Sequence, residues 1–192
     1  MEIEDVIGIY DEVLTPSVCS SIIKFTNLFK LGEAKIINEK IKGGEVNKEI
    51  RNTNILPLER NSNSMSNVHW FNFLTKDICD ILEFYKKDKK INDLQLKKIM
   101  DMSILKYDTG GFYLPHTDHS FSTPRTLTII YFLNNDYVGG KLNFWNLEKT
   151  KIIGSVSAVP GRVVVFPSNF LFPHQIEKVS KGTRYTVIAW AL

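Results

Sequence analysis

The sequence predicts a mainly β protein, a sandwich, jelly roll or barrel, with two helices covering one outer face. Three observations predict it. The second half holds several short runs rich in β-branched and aromatic residues, separated by turn residues. The first half holds two segments with apolar residues at helical spacing. Apolar residues make up 43% and charged residues 23% of the 192 positions, enough for one sizeable core and typical of a globular chain.

The first helix is expected to start at Thr15-Pro16. A hydroxyl can cap there, and proline's missing N–H costs nothing in the first turn. Val18, Ile22, Ile23, Phe25 and Phe29 then form a stripe up to Gly32. A second helix is expected from about Val68 to Tyr85, with Trp70, Phe71, Leu74, Ile78, Ile81, Leu82 and Tyr85 on one face. Both stripes read as core contacts. Lys86, Lys87, Lys89 and Lys90 follow, and read as a solvated helix end favoured by the macrodipole. Between the helices, Gly43-Gly44 and the Asn- and Ser-rich run from Asn61 to Asn67 read as loop or lid, because so polar a stretch can bury little apolar area.

Strands are expected at Ile99 to Tyr107, Thr126 to Leu133, Leu142 to Trp145, Val163 to Phe166 and Tyr185 to Trp190. Turn signals at Gly110-Gly111, Asn134-Asn135-Asp136, Gly139-Gly140, Pro160-Gly161 and Lys181-Gly182 separate them.

Charge and cysteine content narrow the function classes. The net charge of +3 is mild and demands no nucleic-acid partner. Cys19 and Cys79 make no disulfide framework. No run of about 18 apolar residues offers a membrane span, and no segment has the order of a signal peptide. The expectation is a soluble, cytoplasmic or otherwise intracellular protein.

Residue types in the second half point to a metal. In a strand, residues two apart share a face, so His116 and Asp118 are expected to converge. His174 follows the strand that ends at Phe166. Two histidines and one carboxylate with open positions suit non-haem Fe(II). Three positions stay free, two for a bidentate co-substrate and one for O₂. Arg184 shares its strand face with Thr186, Ile188 and Trp190. A guanidinium on a mostly apolar face is costly unless paired, and a carboxylate ligand would pair it bidentately. Taken singly, each residue also fits a plainer use: a surface turn, a backbone-bonded core histidine, an internal ion pair. Their order on the expected strands favours a common site. His69 and His119 lack such support.

At these residues the chain resembles the 2-oxoglutarate- and Fe(II)-dependent oxygenases of the prolyl 4-hydroxylase type. The likeness lies in Tyr107, Gly110, Tyr113, His116 and Asp118, then Tyr131-Phe-Leu-Asn134 and Gly139-Gly140-Lys-Leu142, and finally Pro160-Gly161 to Ser168, His174, Gly182, Arg184 and Trp190. Tyr10 to Ile23 also resembles the family's opening strand and first helix. The likeness covers about Tyr107 to Leu192 and is loose from Leu31 to Lys98.

The resemblance implies a double-stranded β-helix, the cupin-like jelly roll, within one oxygenase domain spanning 1–192. Residues 1–98 would give helical support and lid, and 99–192 the core with the iron site. It implies His116, Asp118 and His174 as iron ligands. It implies Arg184 as partner of the distal carboxylate of 2-oxoglutarate, with Tyr107 as a further donor and Thr186 and Trp190 beside it. Ascorbate enters as a reductant. Phe132 departs from the pattern. Many relatives carry a co-substrate tyrosine there, whereas Tyr131 sits one place earlier and is expected to face the other way.

The implied activity is hydroxylation of a peptidyl proline in a protein or peptide, with decarboxylation of 2-oxoglutarate to succinate. Two alternatives stand beside it. One is a nucleic-acid dealkylase or base oxygenase on the same fold, allowed by the mild basicity. The other is a jelly-roll module without catalysis, its histidines structural or holding another metal.

Overall fold

The computed structural model describes residues 5–38 and 41–192. Residues 1–4 and 39–40 of the expected support region lie outside the described residues. In chain order the elements are β1 (Gly8–Tyr10), α1 (Pro16–Thr26), β2 (Gly32–Glu33), β3 (Ile36–Asn38), β4 (Ile41–Glu45), β5 (Arg51–Asn52), β6 (Asn54–Pro57) and α2 (Met65–Asp88). There follow β7 (Ile99–Tyr107), β8 (Phe112–His116), β9 (Leu127–Phe132), β10 (Val138–Gly139), β11 (Leu142–Trp145) and β12 (Ile152–Val156). The chain ends with β13 (Val163–Pro167), β14 (His174–Ile176), β15 (Val179–Lys181) and β16 (Arg184–Ala191).

Thr15 caps α1 by accepting from the Val18 N–H, with Pro16 in the first turn. The helix ends at Thr26, short of the expected Gly32, where the Thr26 hydroxyl bonds back to the Ile22 carbonyl. Phe29 lies past the helix yet still packs edge-on against Phe25, which is why its spacing read as helical. Ser64 caps α2, and Lys86 and Lys87 sit in its last turn. Lys89 is its C-cap, so the lysine run forms a helix end, where the macrodipole favours cations.

The stretch between the helices is more ordered than its composition suggested. Although 43–67 reads as loop or lid, it contains β5 and β6 and part of β4. β6 pairs with β7 from Asn54↔Lys106 to Pro57↔Ser103, and β5 pairs with β8. These residues are recruited by a strand already present, and strand preference depends on such context.

Two antiparallel sheets face each other. The larger runs β1-β13-β9-β16-β7-β6-β2 and the smaller β12-β11-β14-β8-β5. Two-stranded sheets, β10-β15 and β3-β4, complete the arrangement. This is the double-stranded β-helix with flanking helices.

The larger sheet is buried on both faces, which explains its nearly continuous apolar runs. From β9, Leu127, Ile129 and Tyr131 join Cys19, Ile22, Leu74, Ile78 and Tyr85 beneath the helices. Ile130 and Phe132 point the other way, toward Leu142, Phe144 and Ile176 of the smaller sheet. β16 divides likewise, with Tyr185, Val187 and Ala189 outward and Ile188 and Trp190 inward. Period-2 alternation therefore decides which side chains reach the space between the sheets.

One polar pair joins helix to sheet. The Tyr131 hydroxyl donates to Asp77 Oδ1 at 2.6 Å. Burial pushes the Asp77 carboxyl above its ordinary value, and the Tyr131 hydrogen bond holds part of that rise back. Folded Asp77 thus keeps its proton to higher pH than unfolded Asp77. Its contribution is fully present below the unfolded pKa and is lost as pH rises through the folded one. Tyr131→Phe is expected to destabilise the fold by about 1–3 kcal/mol at neutral pH. The loss should shrink once the pH falls below the ordinary carboxyl range, as denaturant titrations at the two pH values would show.

Candidate active site

β8 and β14 are antiparallel neighbours in the smaller sheet, with His174 directly opposite His116. Sheet register thus brings together two histidines far apart in the chain, their ring centroids 4.3 Å apart. Asp118 closes the group. Its Oδ1 lies 3.5 Å from His116 Nε2 and its Oδ2 lies 3.5 Å from His174 Nε2. One ligand atom from each residue falls within 4.8 Å of the others. The expected convergence is present, but its geometry differs from simple alternation. β8 ends at His116, and Asp118 occupies a bend beyond it.

Neighbouring groups orient all three. His116 Nδ1 is 2.8 Å from the Leu114 carbonyl, and His174 Nδ1 is 3.1 Å from the Phe172 carbonyl. A proton on each Nδ1 donates to these carbonyls and leaves Nε2 as a lone-pair donor toward the common centre. Burial pushes the His174 pKa down to about 4, so the ring is neutral at neutral pH. For Asp118, burial opposes ionisation, but His174 and His116 outweigh it and hold the carboxyl well below the usual range. The Thr128 hydroxyl donates to Asp118 Oδ2 at 2.7 Å and contacts Ser168 Oγ at 2.8 Å. A carboxylate and two imidazoles are the donor set a divalent transition metal takes.

A cavity of about 560 Å³ opens from this centre between the sheets. Tyr107, Arg184, Thr186 and Trp190 all line it. Arg184 is 1% exposed, the largest fully buried side chain among the described residues. Its guanidinium lies 5.0 Å from the Tyr107 ring centroid and 5.3 Å from that of Phe132. Nη1 donates to the Thr186 hydroxyl at 3.3 Å, while Nε and Nη2 are buried without a partner among the described residues. So costly an arrangement is relieved by an anion entering the cavity. A dicarboxylate reaching from the metal centre to Arg184 fits both ends.

Tyr131 faces the helices, as its register predicted, and Phe132 takes the inward position without a hydroxyl. Trp190 stands six residues from Arg184 along β16, on the order of 20 Å. It is paired with Thr128 at the Asp118 end of the cavity. His119 bonds the Arg125 carbonyl through Nδ1, away from the triad.

Sequence reasoning missed Thr128, Ser168 and Arg125. Arg125 stacks 3.5 Å over the Trp190 ring, pairs with Asp101 at 3.0 Å and reaches the Asp118 carbonyl at 3.4 Å. Thr128 carried a usable signal. It shares the inward face of β9 with Ile130 and Phe132, where a lone hydroxyl stands out. Tyr113 stacks on His116 with centroids 3.5 Å apart, and burial pushes its phenol up to about 12.

The fold and site together are a jelly roll with a His-Asp-His centre beside a buried arginine. Residues 102–192 match the model of the 2OG-Fe(II) oxygenase superfamily. A PKHD-type hydroxylase of Crocosphaera subtropica is 31% identical over 101 residues, covering 49% of this chain and 43% of the relative. Human prolyl 3-hydroxylase 2 is 29% identical over 116 residues, covering 60% of this chain and 16% of the relative. The chain thus spans less than half the length of these curated relatives.

Among solved structures, a Trichoplax adhaerens prolyl hydroxylase in complex with a hypoxia inducible factor peptide superposes with TM-score 0.73. Identity there is 16%, covering 98% of this chain and 84% of that one. A Pseudomonas putida prolyl-4-hydroxylase superposes with TM-score 0.69 at 18% identity, covering 97% and 91%. These likenesses establish the shared fold.

Proposed function

We propose that this protein is an Fe(II)- and 2-oxoglutarate-dependent dioxygenase that hydroxylates a peptidyl proline. The observation that carries the reading is the pairing, across one cavity, of the His116–Asp118–His174 centre with a buried, half-unpartnered Arg184. When bound, iron and co-substrate supply the oxidation, with 2-oxoglutarate decarboxylated to succinate and one oxygen atom delivered to a substrate C–H. The chain's own residues orient and exclude. His116, Asp118 and His174 offer three donor atoms on one side of the centre. Thr128 and the two backbone carbonyls fix their orientation. Arg184 and Thr186 hold the far carboxylate, Tyr107 adds a hydroxyl beside them, and the apolar walls from Ile130, Ile188 and Leu105 keep water out.

Trp190, Arg125 and Asp101 line the same cavity and form the part of the wall that a peptide would meet. Names of relatives and structural neighbours favour proline: the curated relatives include prolyl 3-hydroxylases, and a neighbour was solved with a peptide. The dense lysine run at the end of α2 belongs to the helical layer outside the larger sheet, opposite the cavity. It provides no basic channel to the metal, which a nucleic-acid substrate would need. No helix among the described residues is long and apolar enough to cross a membrane; an intracellular location belongs to this proposal.

The test is incubation with Fe(II), ascorbate and 2-oxoglutarate, offering proline peptides and methylated single-stranded DNA in parallel. Peptide gaining the mass of one oxygen atom supports the proposal. Robust demethylation without peptide product would move the protein to the nucleic-acid class.

A further inference from the structure

Arg184 is gripped by ring faces more than by hydrogen bonds. The Tyr107 and Phe132 rings flank the guanidinium, yet a ring face leaves rotation of the donors loosely defined. Among the described residues only Nη1 is tied, to Thr186. Near the arginine stem, and not among the residues that line the cavity, is Tyr137. Its hydroxyl is buried and, like Arg184 Nε and Nη2, has no hydrogen-bond partner among the described residues.

Gly140 sets these two side chains together. A Cβ there would lie 3.0 Å from Tyr137 Cε2 and 3.1 Å from Arg184 Cδ, so ring edge and arginine stem meet where a larger residue would part them. Gly140 also has φ +65°, a conformation glycine adopts without strain. From the other side, Gly182 packs on Tyr137, where a Cβ would lie 3.1 Å from its Cα. Burial pushes the Tyr137 phenol up, and the Arg184 charge offsets part of the rise, as expected for neighbours.

We propose that Tyr137 is a positioning residue for co-substrate recognition: across Gly140 its phenol oxygen accepts from Arg184 Nε and sets the guanidinium that receives the distal carboxylate. This rests on the function proposed above. It supplies, from β10's approach, the phenol that the chain lacks at Phe132. With Nε held by Tyr137 and Nη1 by Thr186, the remaining N–H groups form the fork that a carboxylate accepts bidentately.

The test is calorimetric titration of the Mn(II)-loaded protein, which binds without turnover. The two probes are 2-oxoglutarate and 2-oxobutyrate, a keto acid without the distal carboxylate. Tyr137→Phe is expected to weaken 2-oxoglutarate about tenfold, the effect of one charge-assisted hydrogen bond. Affinity for 2-oxobutyrate and for Mn(II) should stay within about twofold. Phe132→Tyr in the Tyr137→Phe background should recover much of the loss.

Equal weakening of both keto acids, or unchanged 2-oxoglutarate affinity, would overturn the inference. Should Tyr137→Phe not fold, Phe132→Tyr alone carries the test. With Tyr137 already in place, it should change affinity by less than about twofold, and a tenfold gain would contradict the proposal. A wild-type protein that takes up no 2-oxoglutarate with Mn(II) overturns both this inference and the proposed function. Uptake that Tyr137→Phe leaves unchanged overturns this inference alone.

Discussion

His174→Ala is expected to abolish iron binding at stoichiometric metal and with it all product formation. His174 is 2% exposed, lies opposite His116 across the strand pair, and gives one of three donors. Removing it leaves two, and no other His, Cys, Asp or Glu among the described residues joins the group. Metal titration followed by spectroscopy and succinate assay would check the outcome. Wild-type affinity and turnover in the variant would show that the centre is misassigned. Circular dichroism would establish that the fold survives.

Arg184→Ala is expected to raise the Michaelis constant for 2-oxoglutarate while iron still binds. The lost charge pair is worth about 2–5 kcal/mol when buried, or about 30-fold to several thousand-fold in affinity. The separation of effects follows from the geometry. Arg184 contacts Thr186, Tyr107 and Phe132, none of them in the triad. Arg184→Lys should fall between, because an ammonium is a point charge and cannot present the planar fork. Initial-rate kinetics over a range of co-substrate concentrations measures both. An unchanged constant for Arg184→Ala would count decisively against this role.

These expectations show where the sequence was informative. β7 and β11 match their predicted bounds, and β9, β13 and β16 differ by a residue or two. Each is buried on one or both faces, so its composition reports its position. The sequence of β5 and β6 predicts loop, because Arg51-Asn52 and the Asn54–Pro57 segment carry polar or proline residues. They are strands only because β8 and β7 offer backbone partners, information that no local pattern holds.

The triad was legible through residue chemistry, while its geometry was not. Period-2 reasoning placed Asp118 on a strand, but the strand stops at His116. The carboxylate is brought back by the bend and held by Thr128 from β9. Thr128, Ser168 and Arg125 escaped notice because their partners come from distant segments. Arg184 was readable because a cation on an apolar strand face is anomalous wherever it occurs.

The most direct test of the central claim couples two products in one reaction. Purified protein would receive Fe(II), ascorbate, 2-oxoglutarate and a panel of proline-containing peptides under air, with succinate and peptide mass followed together. The account predicts succinate that requires Fe(II), with a peptide gaining the mass of one oxygen atom in comparable amount, and neither product from His174→Ala. No Fe(II)-dependent succinate from folded, iron-loaded protein with any peptide would contradict it.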